Sequence, residues 1–330
     1  MLGSETVDTL VTLDAIRAAA ARLRGVTRIT PLIEGRGLLD PPSAAPLLLK
    51  CENLQLGGAF KIRGAFNMAS RLPADARRRG LMTYSSGNHG LAIALTARML
   101  GIPAVIVMPT TAPAVKVDGA RALGAEVLFE GTTTVERKAR AEAEAASRGM
   151  TIVPPFDHEQ IVEGQGTAGL EILEQCPDVA TVFVQMSGGG LISGVATALK
   201  RSRPDVRVVG VEPERAARMS ASLAAGAPVT IRMVPGIADG LLAVRPGDVT
   251  FRHVQAFVDA VVTVGDAAII EAMRWLFREA KIVAEPSGAI TVAAAMAEAR
   301  RGPDAVRRPA VAFISGGNVE ASAFARFIAE

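Results

Sequence analysis

The stretch CENLQLGGAFKIRGAFN, residues 51–67, places a lysine in a setting suited to covalent chemistry. Lys61 follows two glycines, an alanine and a phenylalanine, and an apolar helical run begins at Gly64. Adjacent glycines let the backbone approach a flat ligand, and Phe60 can cover one face of a ring. A lysine amine that loses hydration has a lowered pKa and becomes a nucleophile toward aldehydes. The alternative interpretation of Lys61 is an ordinary solvated loop lysine. We expect Arg63 to point outward from the helix that follows.

A glycine-rich turn lies further along the chain in SGGGLISG, residues 187–194, between an apolar strand and an Ala/Val/Leu helix. Backbone N–H groups of such a turn converge on an anion, and the helix dipole adds partial positive charge. The spacing matches neither the dinucleotide-binding nor the P-loop pattern. The turn therefore indicates either a phosphate site or a tight turn selected for packing.

Beyond Gly80 the sequence alternates short apolar segments with helical patterns. This alternation is typical of parallel sheets covered by helices on both faces. The sequence therefore predicts an α/β fold with two mostly parallel, twisted sheets. We expect residues 80–157 to form a small inserted α/β domain with four strands, and residues 1–79 and 158–330 to form the large domain. Residues 228–262 are predicted to be irregular.

The composition excludes several classes of protein. Of the 330 residues 49% are hydrophobic, yet no apolar run approaches the roughly 20 residues of a membrane span. The N-terminus lacks the pattern of a signal peptide, and the two cysteines, Cys51 and Cys176, suggest neither a disulfide framework nor a metal site. A net charge of +3 and 4% aromatic residues argue against nucleic-acid binding. We expect a reduced, cytoplasmic protein.

Four segments together carry a resemblance to a known family. GGAFKIRGAFN, SSGNHG at 85–90, SGGGLISG, and EPSGA with SGGN at 285–289 and 315–318 occur in the order found in fold-type II pyridoxal 5'-phosphate (PLP) enzymes. The chain resembles their threonine/serine dehydratase (ammonia-lyase) and serine racemase branch from about Thr30 to about Phe324. Ala59 departs from the serine common before the lysine. The resemblance implies a tryptophan synthase β-like fold and a Schiff base between PLP and Lys61.

The resemblance also implies roles for individual residues. It implies a phosphate cup at the glycine turn, an asparagine at the phenolic oxygen of PLP, and a serine hydroxyl at its pyridine nitrogen. The implied cofactor site consists of Phe60, Lys61, Asn88, Gly188, Gly189, Gly190, Leu191, Glu285 and Ser315. The implied substrate site consists of Ser85, Ser86, Gly87, His89 and Arg137. Lys61 and Ser86 would be the catalytic acid/base pair on opposite faces of the ring.

Three of these residues have a simpler interpretation. Ser86 can be a helix N-cap, since its hydroxyl suits that position. Glu285 can be an acid at a helix start, where the dipole favours negative charge. Arg137, in VERKAR, can point outward from a helix; alternatively it binds a second substrate carboxylate.

One metal site of the family is altered in this sequence. Glu212 and Ala216 match the first two ligands of a divalent-cation site, but Arg218 occupies the position of the aspartate ligand. An arginine has no acceptor for a metal, and its charge repels a cation. We therefore expect no metal here and an Arg218–Glu212 bond in its place.

The activity implied is PLP-dependent dehydration of a β-hydroxy amino acid, L-threonine or L-serine, to a 2-oxo acid and ammonia. A hydroxyl from Ser315 leaves the pyridine nitrogen largely unprotonated, which suits prompt β-elimination. The alternatives are threo-3-hydroxyaspartate or phenylserine as substrate, serine racemisation, and a non-catalytic PLP-binding protein. Phe156 stands where racemases carry asparagine and thus favours dehydration. Since dimers are common in this family, we expect a homodimer.

Overall fold

The structure is a computed structural model that describes residues 10–35, 47–85, 87–232, 234–302 and 305–329. Its helices are α1 (Leu13–Leu23), α2 (Ile62–Ala69), α3 (Ala74–Arg79), α4 (Asn88–Leu100), α5 (Ala114–Ala122), α6 (Thr134–Arg148), α7 (Glu159–Gln175), α8 (Gly190–Ser202), α9 (Arg218–Ala225), α10 (Asp248–Phe257), α11 (Asp266–Arg278), α12 (Pro286–Ala299) and α13 (Ala321–Ile328). In these described ranges no helix is sufficiently long and apolar to cross a bilayer.

The strands divide between two sheets. They are β1 (Leu32–Gly35), β2 (Leu47–Lys50), β3 (Leu81–Thr83), β4 (Ala104–Met108), β5 (Glu126–Phe129), β6 (Thr151–Ile152), β7 (Thr181–Gln185), β8 (Arg207–Pro213), β9 (Ala260–Val264) and β10 (Ala310–Phe313). The larger sheet has the order β1-β2-β10-β7-β8-β9. Its neighbours run parallel except for the antiparallel edge pair β1 and β2. Strand β7 is buried along its whole length, as expected where helices cover both faces.

The smaller sheet has the order β5-β4-β3-β6 and is parallel throughout. The predicted α/β fold with mostly parallel sheets is therefore confirmed. All four strands of this sheet lie within residues 80–157, but its hydrophobic core also contains Ala65, Met68 and Ala69 of α2 and Ile161 of α7. The domain boundaries at residues 80 and 157 stay a prediction.

The region predicted to be irregular, residues 228–262, has only a short 3-10 turn, Asp239–Leu241, among its described residues up to 247. It then contains all of α10 and the start of β9, so the prediction was wrong for its second half. Strand β9 adds in parallel to the edge of the larger sheet beside β8. Helix α10 is capped from a distance, because the Asp157 carboxylate accepts hydrogen bonds from the backbone N–H groups of Asp248, Val249 and Thr250. A cap supplied from 91 residues away leaves no local sequence signal.

Arg63 is buried, and the prediction that it points outward was wrong. Its guanidinium donates to Glu52 Oε1 at 2.7 Å and to Glu171 Oε1 at 2.6 Å. The ammonium of Lys50 donates to Glu171 Oε2 at 2.6 Å. Helix α2 packs against both α4 and α7, so all eight of its residues are buried and the arginine needs these carboxylates. The ionic cluster fixes the start of α2, directly after Lys61.

Candidate active site

A cavity of about 700 Å³ is lined by segments from both sheets. The structure brings together in this cavity every predicted site residue that it describes. Ser86 lies outside the described residues. The predicted residues that line the cavity are Phe60, Lys61, Ser85, Gly87, Asn88, His89, Arg137, Gly188, Gly189, Gly190, Leu191, Glu285 and Ser315.

Lys61 directly precedes α2, and its side chain lines the cavity. Its Nζ donates a hydrogen bond to the backbone carbonyl of Pro155 at 2.7 Å and lies 5.0 Å from the centroid of the Phe60 ring. Burial lowers the pKa of Lys61 to about 8, while the Glu285 carboxylate opposes that shift. An appreciable fraction of the amine is therefore neutral near pH 7, as a nucleophile or base requires.

The glycine turn connects β7 to α8, which begins at Gly190. Gly189 has a φ of 101°, a conformation that favours glycine. The Thr250 hydroxyl donates to the Gly188 carbonyl at 2.5 Å, which fixes the orientation of that peptide. A Cβ atom at Gly188 would overlap the ring of Phe156. Because the first N–H groups of a helix have no intrahelical partner, this end of the cavity is suited to an anion.

Asn88 and Glu285 meet across the cavity from the starts of two helices. Asn88 begins α4, and Glu285 directly precedes α12. Asn88 Nδ2 donates to Glu285 Oε1 at 2.8 Å. Burial raises the pKa of Glu285 to about 8, and the charge of Asp239 acts in the same direction. The Glu285 side chain makes no capping hydrogen bond to α12.

Ser85, Gly87 and His89 surround the start of α4. The Ser85 hydroxyl oxygen accepts a hydrogen bond from the Gly87 N–H at 3.2 Å. The His89 ring is buried, and its Nε2 lies 2.9 Å from the Val153 carbonyl oxygen. Burial lowers the pKa of His89 to about 3, so the ring is neutral and its Nε2–H donates to Val153. The backbone N–H groups of the helix start are the donors that remain for a carboxylate.

Ser315 follows β10 and is 4% exposed. Its Oγ lies 3.5 Å from the Ser287 carbonyl oxygen, a long contact that leaves the hydroxyl free to turn toward another acceptor. Gln185, which also lines the cavity, donates through Nε2 to the same carbonyl at 3.2 Å. Within the described ranges, Gln185 Oε1 is buried without a hydrogen-bond partner. At this end of the cavity the Ser315 hydroxyl and Gln185 Oε1 are therefore available for hydrogen bonds to a ligand.

Arg137 lies in the first turn of α6, and its side chain lines the cavity. Its Nη2 donates to Thr134 Oγ1 at 3.0 Å. As far as the described residues go, Nε and Nη1 are buried without a hydrogen-bond partner. Burial also lowers the pKa of Arg137. A guanidinium in this state favours an added anion more strongly than a solvated arginine would.

Some cavity residues were missed by the sequence analysis. Lys116 on α5 lies 3.6 Å from the Asp239 carboxylate across the cavity, and no motif marks either residue. Asn318 could have been found, because it is the last residue of the SGGN segment that we quoted. Its side chain donates to Asn88 Oδ1 at 2.9 Å.

A comparison with protein families identifies the family to which this chain, with the cavity described above, belongs. The family described as "Pyridoxal-phosphate dependent enzyme" matches residues 23–316. The chain belongs to this family. Its cofactor is PLP.

Several relatives resemble this PLP enzyme over most of their length. An L-threonine ammonia-lyase from Thermotoga maritima is 40% identical over 319 residues, covering 97% of this chain and 78% of the relative. An L-threo-3-hydroxyaspartate ammonia-lyase from a Pseudomonas species is 40% identical over 316 residues, covering 96% and 97%. The structure of maize serine racemase has a TM-score of 0.91 and 38% identity, covering 96% of each chain.

The residues of the cavity fit PLP. The Lys61 amine has a pKa near 8, which suits bond formation with an aldehyde. The glycine turn at the start of α8 leaves no room for a Cβ at Gly188 and carries helix N–H groups suited to a phosphate. The buried Gln185 Oε1, unpartnered in the described part of the chain, indicates that a further polar group belongs nearby.

The segment compared above with a metal site of the family contains a buried arginine, Arg218. Arg218 and Glu212 are both fully buried, with Nη1 and Oε1 3.9 Å apart. Arg218 donates its hydrogen bonds to the carbonyls of Met186 and Leu241 instead. The predicted pairing therefore takes the form of an ion pair without a direct hydrogen bond. Among the described residues no three His, Cys, Asp or Glu side chains are grouped in a way that could hold a metal ion.

Proposed function

We propose that this PLP enzyme removes water from a β-hydroxy amino acid, L-threonine or L-serine, and yields a 2-oxo acid and ammonia. The observation that carries the proposal is the Lys61 amine with a pKa of about 8 in one cavity with the glycine turn and the start of α4. The hydroxyl of Ser315, in place of a carboxylate, supports elimination over chemistry that needs a long-lived carbanion. The named activity of the Thermotoga relative agrees with this proposal.

The proposed cofactor contacts follow the cavity. Lys61 would bond the aldehyde carbon, residues 188–191 would hold the phosphate, Asn88 would donate to the phenolic oxygen, and Ser315 would face the pyridine nitrogen. Phe60 and Glu285 would lie beside the ring. When bound, PLP draws electrons away from the Cα of an amino acid. The protein supplies the groups that orient the substrate and move its protons.

The lysine would act as the base once the substrate amine has taken its place at the aldehyde carbon. With a pKa of about 8, Nζ accepts the Cα proton in its neutral form. The carbonyl of Pro155, 2.7 Å from Nζ, holds the amine in the cavity. The β-hydroxyl then receives the proton that Lys61 took from Cα and leaves as water, and hydrolysis of the resulting enamine consumes one water and releases ammonia. Threonine would yield 2-oxobutanoate.

The start of α4 would hold the substrate carboxylate. The His89 N–H, the Ser85 hydroxyl and the positive end of the helix dipole are the available groups. The Gly87 N–H already donates to Ser85 Oγ and would have to be shared with the carboxylate. His89 would contribute its backbone N–H, because its ring is neutral and bonded to Val153. Ser86, outside the described residues, stays a predicted acid/base on the opposite face.

The experiment is 2-oxo acid release from L-threonine and L-serine by the PLP-loaded protein. We expect turnover that Lys61→Ala abolishes. Lys200→Ala is the matched control, because Lys200 pairs with Asp259 outside the cavity. Turnover that survives in Lys61→Ala, or no release from either substrate, would contradict the proposal.

A second candidate substrate is threo-3-hydroxyaspartate, and the unpartnered guanidinium atoms of Arg137 favour it. A second carboxylate could accept hydrogen bonds from Nε and Nη1. Charge-assisted hydrogen bonds contribute about 1.5–3 kcal/mol, so Arg137→Ala should lower kcat/KM for this substrate by about 10- to 150-fold. Threonine turnover should change little.

The control for Arg137 is Arg140→Ala, since Arg140 lies on the same helix but pairs with Glu144 outside the cavity. Equal losses for both substrates in Arg137→Ala would show that Arg137 does not select a second carboxylate.

We further propose a homodimer in the cytoplasm, with residues 80–157 as the small domain and residues 1–79 and 158–330 as the large one. The dimer and the domain division rest on the resemblance to the family, and the location on the two buried free cysteines, Cys51 and Cys176, as expected in a reducing compartment. Light scattering of the purified protein tests the dimer. Limited proteolysis near residues 80 and 157 tests the domain boundaries.

A further inference from the structure

The segment that contains Asn318 pairs with the loop that carries Lys61. Ala59 and Gly316 form an antiparallel bridge. The Gly317 N–H donates to the Gly58 carbonyl at 3.0 Å, and the Asn318 side chain continues the pairing. A Cβ atom at Gly58 would overlap the Asn318 side chain, so the two segments are in close contact. Asn318 is therefore tied to the same loop as the catalytic lysine.

The hydrogen bonds of Asn318 have a defined direction. Its Nδ2 donates to the Gly57 carbonyl at 2.7 Å and to Asn88 Oδ1 at 2.9 Å. A backbone carbonyl can only accept, so Gly57 requires the amide nitrogen of Asn318 on its side. Both hydrogens of that nitrogen are then used, and the second one requires the oxygen of Asn88 to face Asn318.

The orientation of Asn88 follows from this contact. With its oxygen toward Asn318, the Asn88 amide nitrogen lies on the other side, where one hydrogen goes to Glu285 Oε1 at 2.8 Å. An amide nitrogen carries two hydrogens, so one remains for a group in the cavity. The backbone N–H of Asn318 also interacts with the Glu285 carboxyl and opposes the rise in its pKa.

We propose that Asn318 is a positioning residue that makes Asn88 present its N–H, and not its oxygen, to PLP. This rests on the proposed placement of the phenolic oxygen of PLP at Asn88. Without Asn318 only the hydrogen bond to Glu285 Oε1 would hold the Asn88 amide in this orientation. An Asn88 oxygen placed against the phenolic oxygen would repel it, since both are acceptors.

The experiment is a double-mutant cycle on cofactor binding. Apoprotein of the original sequence, Asn318→Ala, Asn88→Ala and the double variant is titrated with PLP, and the dissociation constant and the position of the visible absorbance band are recorded. Asn318→Ala should weaken PLP binding by about three- to tenfold, the equivalent of one net hydrogen bond, and shift the band. In the Asn88→Ala background the same substitution should change the dissociation constant by less than about twofold.

Two further variants separate positioning from folding. Asn318→Asp keeps the shape of the side chain but has no amide donor for Gly57 or Asn88, so it should weaken PLP binding at least as much as Asn318→Ala. Asn53→Ala is the matched control, because Asn53 also donates to a backbone carbonyl, that of Val283, and does not line the cavity. It should leave the dissociation constant and the band unchanged.

An unchanged dissociation constant in Asn318→Ala, or an equal loss in both backgrounds, would overturn the proposal. An equal loss would mean that Asn318 acts on PLP or on the fold without Asn88. These measurements do not use turnover. Failure of the proposed dehydration, with the cycle as expected, would therefore reject the activity and leave the role of Asn318 standing.

Discussion

Arg218→Met is expected to destabilise the protein strongly, because Arg218 balances a charge inside the core. The side chains of Arg218 and Glu212 are both fully buried, 3.9 Å apart. Burial lowers the pKa of Arg218 to about 10, and the Glu212 carboxylate opposes that shift. Methionine has a similar length but no charge. It leaves Glu212 without a cation and removes the donors to the carbonyls of Met186 and Leu241.

Removing one partner of a buried ion pair lowers the free energy of unfolding by about 3–5 kcal/mol, and we expect a loss of this size in Arg218→Met. Glu212 keeps its hydrogen bonds from the Met219 and Ser220 N–H groups, at 2.8 and 2.9 Å, but these donors carry no full charge. The double variant Arg218→Met/Glu212→Gln removes both charges and should recover most of the free energy of unfolding that Arg218→Met loses. The assay is the free energy of unfolding from urea titration.

Two controls complete the test of Arg218. If the guanidinium replaces a divalent cation, neither EDTA nor magnesium should change the unfolding midpoint or the turnover of the original protein. A loss below about 1 kcal/mol in Arg218→Met, the level of an exposed pair, would refute the reasoning. No recovery in the double variant, or a lower midpoint with EDTA, would refute it equally.

Three further predictions concern the cavity. PLP binding to apoprotein should accelerate as the pH rises through about 8, because the neutral Lys61 amine attacks the aldehyde; stopped-flow rates independent of pH would contradict this. The pKa of His89 falls from 6.5 to about 3 on burial. Below pH 6.5 only the unfolded state takes up a proton at this residue, so the free energy of unfolding should fall by about 1.4 kcal/mol for each unit by which the pH is lowered. In His89→Gln the free energy of unfolding, measured by urea titration at each pH, should depend less steeply on pH. Gly188→Ala should weaken PLP binding by about tenfold because its Cβ overlaps Phe156, whereas Gly119→Ala, whose Cβ meets nothing within 4 Å, should not.

The convergence of the motifs was expected from the resemblance to the family, which implied one cofactor and substrate site for all four segments. SGGGLISG follows β7 and SGGN follows β10, so the carboxyl ends of two adjacent parallel strands place them at one edge of the larger sheet. SSGNHG follows β3 of the smaller sheet and lines the same cavity from there. The roles of the individual residues stay predictions.

The wrong predictions and the missed residues have one physical cause. Each of these features depends on contacts with residues that are distant in sequence. Arg63 is buried because Glu52 and Glu171 accept its hydrogen bonds, and nothing near Arg63 in sequence announces Glu171. Helix α10 takes its cap from Asp157. Lys116 meets Asp239 across the cavity without any motif. Contacts between segments that lie far apart in sequence cannot be derived from local patterns.

Residues 155–157 contact three different parts of the site in three successive positions. The Pro155 carbonyl accepts from Lys61, the Phe156 ring fills the space beside Gly188, and the Asp157 carboxylate caps α10. The spacing between them is therefore fixed by the backbone. A substitution in this segment affects one contact, but the insertion or deletion of a single residue would shift all three out of register. We expect the length of this segment to be the same in every active variant recovered from a library of insertions and deletions.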